Sequence, residues 1–323
     1  MQNTRALSFY TYTPNLNYNG FDSFIFEVTD GNDTVSSTVN INVESINDAP
    51  IFSSDQILFL ILIMTLTAII AGFFAGFFGI GGGIITVPCL FYIFGAVGVD
   101  KSYLMHLAVG TSFAIIVPTA MMSVFTHYKH NAVDFGVLKS YGTFVVFGVI
   151  IGSFFAASLH TKSLILFFSI VMYLLALNLI FLKDKTKIKL KFSLFQRTFF
   201  GLIVGFVSSL MGIGGAIMNV PILKFVGYTI NKSIGSAASI GFLIAVFGCL
   251  GFVISGLIIK TNIPLSLGFI NIPAFLIFIP ITIIMAKVGA TSVHKIKREI
   301  ITKLFGLFLI LIASRFLYDF INY

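Results

Sequence analysis

Ten apolar segments follow one another from residue 56 to residue 318, and they decide what this chain can fold into. They cover residues 56–78, 84–97, 103–126, 136–158, 163–182, 198–211, 216–228, 234–258, 264–286 and 300–318. None of them contains an Asp or Glu, and only 10% of the 323 residues are charged, against about 25% in soluble domains. Most segments are long enough to cross a bilayer core of about 30 Å as a helix. The sequence therefore predicts an all-α polytopic membrane protein.

The apolar segments form an internal repeat. The residues Gly-Ile-Gly-Gly-Gly-Ile-Ile-Thr-Val-Pro at 79–88 return as Gly-Ile-Gly-Gly-Ala-Ile-Met-Asn-Val-Pro at 212–221. Downstream, Gly-Thr-Ser at 110–112 returns as Gly-Ser-Ala at 235–237, in the same order, which indicates a duplication. The predicted domains are an N-terminal head at 1–50, membrane repeat 1 at 56–182, a basic linker at 183–197 and membrane repeat 2 at 198–320.

The distribution of charge orients the chain. Residues 1–55 carry one base and seven acids, whereas residues 56–323 carry 19 bases and five acids. With ten crossings, 15 bases lie on the side of the linker and five on the other side; with eight crossings the division is 11 and nine. The positive-inside rule therefore favours ten crossings, a cytoplasmic linker and an outside head. Eight crossings stay open, because the second segment of each half is short enough to turn back.

An odd number of crossings in each half makes the two repeats inverted. Inverted repeats are a common transporter plan, in which the substrate binds at the interface between the repeats. The sequence thus predicts two inverted repeats of about five apolar segments each, preceded by a short β-rich segment outside the membrane.

The duplicated Gly-Ile-Gly-Gly motif is expected to break a helix in each half. Glycine costs about 1 kcal/mol relative to alanine inside a helix, and irregular backbone at membrane depth is tolerated only against protein or a water-filled cavity. A new helix should begin near Ile84 and near Ala216. Its first N–H groups lack intrahelical partners and its dipole is positive there, so the bare backbone can bind an anion. Close helix packing, as in Gly72-x-x-x-Gly76, is the alternative use of such glycines.

We therefore expect an anion site where the two motifs meet, with hydroxyl and amide groups nearby as hydrogen-bond donors. The alternative for these side chains is a hydrogen bond to their own helix. The predicted site residues are Gly79, Gly81, Gly82, Gly83, Thr86, Pro88, Gly110, Thr111, Ser112, Gly212, Gly214, Gly215, Asn219, Pro221 and Ser236. His106 is also a candidate for a proton-linked role, Lys224 for attracting the anion and Cys89 for thiol chemistry, each against an ordinary structural role.

Several classes of function are disfavoured. Cation sites and carboxylate proton relays need acids inside the membrane, and the apolar segments have none. No nucleophile, base and orienting group occur together, and no nucleotide-binding loop is present, so an enzyme is not expected. The two cysteines lack metal-ligand spacing, so no metal or cofactor is expected. Membrane loops account for the basic residues without nucleic acid. The expected partners are a small anionic substrate and the lipid bilayer; the oligomeric state stays open.

The head is polar and strand-like. Residues 8–12, 22–29 and 34–43 alternate and are rich in aromatic and β-branched residues, with turn sequences between them. It resembles the closing strands of a bacterial cadherin-like or immunoglobulin-like repeat over about residues 8–50. A complete sandwich of that kind needs about 100 residues, so an incomplete sandwich or a truncated or misjoined fusion is expected. The alternative function that follows is a membrane-anchored adhesion or receptor protein that displays this head.

The paired glycine motifs, the Gly-Thr-Ser element and the basic central linker resemble the sulfite exporter TauE/SafE family of membrane permeases. The resemblance covers about residues 57–320. It implies transport of small sulfur-containing or organic anions, such as sulfite or sulfonates, across a bacterial plasma membrane. Two departures stand out, since half two has Gly-Ser-Ala instead of Gly-Thr-Ser and Ala216 replaces the third glycine of the motif.

Overall fold

The computed structural model describes two compact units, residues 1–51 and residues 52–323, and each is considered by itself. Within them it describes residues 11–13, 20–43, 53–78, 81–181, 192–261, 263–292 and 298–323, with only the backbone of 298–302. The chain is mostly helical, with a small β-hairpin near the N-terminus.

The hairpin of the first unit pairs β1 (Gly20–Thr29) with β2 (Thr34–Val43) in antiparallel register from Gly20 opposite Val43 to Thr29 opposite Thr34. The Asp30 carboxylate accepts hydrogen bonds from the N–H groups of Asn32 and Asp33, so it closes the turn between the strands. These two bonds lower the pKa of Asp30 below its usual range. Of the expected first strand, residues 8–10 lie outside the described residues, and residues 11–12 are not in a strand.

The described part of the second unit contains eleven α-helices. In half one they are α1 (Ser54–Phe78), α2 (Gly83–Ala96), α3 (Leu104–Lys129), α4 (Phe135–Ser140), α5 (Gly142–Ser158) and α6 (Thr161–Phe181). In half two they are α7 (Leu194–Met211), α8 (Ala216–Phe225), α9 (Ile230–Ile259), α10 (Ile272–Ser292) and α11 (Arg298–Asn322), with the short strands β3 (Ser266–Leu267) and β4 (Ile270–Asn271) before α10.

Seven of these helices in the described residues are long and apolar enough to cross a membrane: α1, α3, α6, α7, α9, α10 and α11. The shorter apolar helices are α2, α5 and α8. The expectation of a polytopic helical membrane protein is thereby confirmed. The inverted relation of the two repeats and the number of crossings stay predictions.

Helices of one half pack against helices of the other half at their interface. The first helix of each half packs against the fourth segment of the other, α1 against α10 and α7 against α5. Glycines make these approaches possible: a methyl group at Gly76 would overlap the Ala286 carbonyl oxygen, and one at Gly148 would overlap that of Leu202. Small residues allow such close backbone contact between membrane helices. The third helices, α3 and α9, pack against each other between these pairs.

Two apolar segments differ from their predicted course. Residues 264–271 form a turn with β3 and β4, and the helix begins only at Ile272. Gly268 lies in the left-handed region with a φ of +58°, and the Asn271 side chain accepts a hydrogen bond from the Ala274 N–H, which caps the new helix. The segment at 136–158 is divided at Tyr141 into α4 and α5.

Candidate functional site

Each glycine motif separates two helices, as the sequence predicts. The helix α1 ends at Phe78 and α2 begins at Gly83, while α7 ends at Met211 and α8 begins at Ala216. The residues before α2 and α8 are Gly82 and Gly215, with φ angles of +80° and +63°. L-amino acids with a side chain rarely adopt this left-handed conformation, so glycine suits both positions.

The two breaks touch each other. A methyl group at Gly83 would overlap the carbonyl oxygen of Gly212, and one at Gly81 would lie 3.8 Å from the Cα of Gly214. The Ser112 hydroxyl on α3 donates a hydrogen bond to the same Gly212 carbonyl over 2.8 Å. The N-termini of α2 and α8, one from each half, therefore meet at the interface between the halves.

A small buried cavity lies where the breaks meet. Its volume is about 10 Å³, close to the minimum for one water molecule. Its lining residues are Ala75, Gly81, Ile116, Thr119, Ala120, Ser123, Gly214, Ala238 and Gly241. They come from α1, α3, α9 and the two breaks, so both halves contribute.

The cavity wall carries no charged side chain. Its electrostatic character comes from the positive ends of the α2 and α8 dipoles, which favour negative charge. The Ser123 hydroxyl is buried and has no hydrogen-bond partner among the described residues, so it is free to serve a ligand. The Thr119 hydroxyl, by contrast, bonds to the Ile115 carbonyl and to Thr282 of α10.

All five predicted donor side chains, those of Thr86, Thr111, Ser112, Asn219 and Ser236, are buried. The Thr86 hydroxyl donates to the Gly82 carbonyl one turn back in its own helix. Ser112 bonds across the halves, as described above. The Asn219 Oδ1 accepts a hydrogen bond from the Tyr141 hydroxyl over 2.8 Å, whereas its Nδ2 has no partner among the described residues.

Gly110 and Thr111 hold the turn that precedes α10. The carbonyl oxygen of Phe269 occupies the space that a methyl group at Gly110 would need. The Thr111 hydroxyl accepts a hydrogen bond from the Asn271 N–H over 2.9 Å. We call this set of contacts, Gly110 and Thr111 with Phe269 and Asn271, the first latch.

Gly235 and Ser236 make the equivalent contacts in half two. The carbonyl oxygen of Ala132 occupies the place of a methyl group at Gly235, and the Ser236 hydroxyl accepts a hydrogen bond from the Asp134 N–H over 3.0 Å. Asp134 caps α4 as Asn271 caps α10. Gly235 and Ser236 with Ala132 and Asp134 form the second latch.

The remaining predicted residues lie in several places. Gly79 is outside the described residues, Pro88 is buried in α2, and Pro221 is exposed on α8. His106 joins α3 to the end of α5 through the Ala156 and Leu159 carbonyl oxygens, at 3.1 and 3.0 Å.

Neither of the other two candidates lines the cavity. The Cys89 thiol is 2.9 Å from the Thr67 hydroxyl, and Lys224 lies in the last turn of α8.

Sequence reasoning missed most of the cavity wall. Ile116, Thr119 and Ser123 lie on α3 beyond the Gly-Thr-Ser element, and Ala238 and Gly241 lie on α9 beyond its counterpart. Continuing helical periodicity from Ser112 would have indicated this face of α3, since residues three and four apart share one side.

The fold is that of a multi-pass helical membrane protein in which a glycine motif lies between two helices in each half. Residues 64–316 match the profile of the sulfite exporter TauE/SafE family, and the chain belongs to this family. Residues 6–44 match the profile of the cadherin-like domain. No solved structure gives a significant match.

Curated relatives carry compatible descriptions. A probable membrane transporter protein of Haemophilus influenzae is 34% identical over 254 residues, which cover 78% of this chain and 96% of the relative. Another of Methanocaldococcus jannaschii is 27% identical over 75% of this chain and 89% of its own length. The probable membrane transporter protein YunE of Bacillus subtilis is 25% identical over 80% of this chain and 97% of its own length. These names describe membrane transporters rather than enzymes.

Proposed function

We propose that the protein transports small oxyanions, such as sulfite or sulfonates, through the cavity between its two halves. The observation that carries the proposal is the meeting of two helix N-termini, one from each half, at one buried cavity. Both ends favour negative charge. Among the described residues, the Ser123 hydroxyl has no hydrogen-bond partner, and none that lines the wall carries a carboxylate that would repel an anion. The description of the family as sulfite exporters supports the same class of substrate.

The cavity must widen for transport. A volume of about 10 Å³ accommodates at most one water molecule, whereas an oxyanion has four or more heavy atoms. We assign the described conformation to a closed state, with the site shut on both sides. The two latches are then the elements that separate to admit substrate.

The latches suit alternating access. If the repeats are inverted, α3 and α9 begin at opposite membrane faces, so the first latch lies on the outer side of the cavity and the second on the inner side. Separation of the first latch would connect the cavity to the outside, and separation of the second would connect it to the cytoplasm. Each latch holds the entry of the fourth segment of one half against the third helix of the other, so opening it moves the halves apart.

The topology in this proposal has ten crossings, with the head outside a bacterial plasma membrane and the 183–197 linker in the cytoplasm. It rests on the excess of bases in the loops on the side of the linker. The adhesion alternative draws on the cadherin-like match and the hairpin. An anchor needs one span, whereas the described residues hold seven helices of spanning length and a cavity between two halves, so transport accounts for more of the molecule.

Flux through proteoliposomes tests the proposal. Vesicles that contain the purified full chain should accumulate labelled sulfite or methanesulfonate faster than empty vesicles. Gly81→Val should abolish this flux, because Gly81 has a φ of +74° and its Cβ would lie 2.8 Å from Ile116. Gly95→Ala is the matched control, since a methyl group there meets only Leu104 at 3.8 Å. Wild-type vesicles that move no tested oxyanion, or a Gly81→Val variant with normal flux, would overturn the proposal.

A further inference from the structure

Half two contains a buried polar cluster at the beginning of α8 that the closed structure leaves incomplete. Asn219 on α8 and Ser208 on α7 are both completely buried. Neither the Asn219 Nδ2 nor the Ser208 Oγ has a hydrogen-bond partner among the described residues. Buried polar atoms without partners are costly, so each one in a folded protein requires an explanation.

Both atoms converge on Gly215, the residue that caps α8. A methyl group built on Gly215 would lie 2.7 Å from the Ser208 Oγ and 3.4 Å from the Asn219 Nδ2. The preceding residue, Gly214, is part of the cavity wall. The unsatisfied donors therefore lie beside the proposed transport site, at the positive end of α8.

Tyr141 fixes the orientation of the carboxamide. Its hydroxyl donates to the Asn219 Oδ1 over 2.8 Å, so the Nδ2, with its two N–H donors, faces the other way. The Ser208 hydroxyl adds a third donor. The atoms that converge here are thus hydrogen-bond donors without a competing carboxylate, and the natural acceptor is an oxygen atom that carries negative charge.

The described residues of half one contain no equivalent cluster at the beginning of α2. By the alignment of the two motifs, Thr86 stands where half two has Asn219, and Ala75 stands where it has Ser208. The Thr86 hydroxyl is already used by the Gly82 carbonyl, and Ala75 has no polar side-chain atom. The two breaks are therefore alike in backbone and different in side-chain donors.

We infer that Asn219 and Ser208 bind one oxygen of the transported oxyanion when the cavity opens, and that they set the preference for oxyanions over chloride. The inference rests on the proposed function, because it assigns a role at the same site. Chloride is a single atom, so it cannot occupy the cavity and also contact Asn219 and Ser208. A sulfite or sulfonate group has several oxygen atoms, so one can reach these donors while the others lie in the cavity. In this account half one contributes the close backbone packing at its break, and half two contributes the side-chain donors that favour oxyanions over chloride.

The sequence itself supplies the test variant. Asn219→Thr combined with Ser208→Ala gives half two the side chains that half one already carries at these positions. Competition of methanesulfonate and of chloride against labelled sulfite flux should be measured in proteoliposomes, with thermal unfolding of the purified variants as a check on folding. Ser255→Ala is the matched control. Ser255 is also buried and has no hydrogen-bond partner within the described ranges, but it lies 14 residues beyond Gly241 on α9.

The double variant should bind sulfite and methanesulfonate at least about tenfold more weakly, because each lost bond to a charged ligand reduces affinity by about that factor. Competition by chloride should not change, so the preference for oxyanions should fall by the same factor. Ser255→Ala should behave as the wild type. Tyr141→Phe should weaken oxyanion binding by a smaller factor, because it removes the hydrogen bond that orients the Asn219 carboxamide but leaves the carboxamide in place.

Three outcomes separate the possibilities. Equal affinity for oxyanions in the wild type and a folded double variant would overturn this inference and leave the proposed function standing. Lower thermal stability with unchanged affinity would also overturn it and assign the donors to a structural water. If the wild type itself moved no oxyanion, the inference and the proposed function would fall together.

Discussion

The two helix breaks share a backbone and differ in what surrounds it. In half one, Gly83 lies in close contact with the Gly212 carbonyl, and the Thr86 hydroxyl donates a hydrogen bond to the Gly82 carbonyl of its own helix. In half two, Ala216 takes the place of Gly83, and the Asn219 amide nitrogen has no hydrogen-bond partner in the part of the chain that the structure describes. Both breaks thus bring a helix N-terminus to the interface between the halves, while the side chains around them differ. The break of half one makes a close backbone approach, and we propose the break of half two as a donor of hydrogen bonds to substrate.

The largest expected effect is at Gly83. Gly83→Ala places a methyl group on the Gly212 carbonyl oxygen, and backbone on both sides prevents relief. We expect a loss of at least about 3 kcal/mol in the free energy of unfolding and loss of flux. Ala216→Gly, at the equivalent position of half two, should cost only about 0.5–1 kcal/mol. Both variants should be measured by thermal unfolding in detergent and by sulfite flux in proteoliposomes. Equal effects of the two substitutions would contradict the proposed difference between the two breaks.

A smaller difference in the free energy of unfolding is expected between two threonine variants of half one. Thr111→Val leaves the Asn271 N–H of the first latch without its acceptor, which should cost about 1–3 kcal/mol. Thr86→Val removes only a bond to its own helix and should cost less than about 1 kcal/mol. Thermal unfolding of the two single variants measures this difference in stability. Comparable stabilities would mean that the latch bond contributes little, and a larger loss for Thr86→Val would reverse the assignment.

The smallest effect is expected for the head. Its described strands are exposed, and the contrast between the two breaks lies wholly within the second unit. Deletion of residues 1–50 should therefore leave sulfite flux and its dependence on Asn219 unchanged. A loss of flux at normal abundance in the membrane would give the head a part in transport and would revive the adhesion or receptor alternative.

The sequence predicted the helices and the breaks because apolar length and glycine spacing are local properties. It placed the starts of α2 and α8 within one residue. The repeat relation of the two halves stays a prediction. The sequence did not predict that Gly110 and Gly235 receive carbonyl oxygens from the other half. Contacts of this kind depend on how distant segments pack, and the turn before α10 looks like helix from its apolar composition alone.

The same limit applies to the site. Thr111 and Ser236 were expected to donate hydrogen bonds to a ligand. Each hydroxyl oxygen accepts an N–H from the loop that enters the next segment, and the donor role stays a prediction. Ser123 was not among the predicted residues, because the helical periodicity that places it on the same face of α3 as Ser112 was not followed beyond the Gly-Thr-Ser element. Their assignment to latches and to the cavity wall stays a proposal that transport measurements must test.

The central claim is that one cavity between the halves is reached alternately from the two sides. Ser123→Cys, in a chain with Cys89 and Cys249 replaced by alanine, places a thiol in the cavity wall. A membrane-impermeant thiol reagent should label it faster from outside when Thr111→Val weakens the first latch, and faster from inside when Ser236→Ala weakens the second. Saturating methanesulfonate should slow both reactions. Labelling that rises on the same side in both variants, or that methanesulfonate does not slow, would contradict the account.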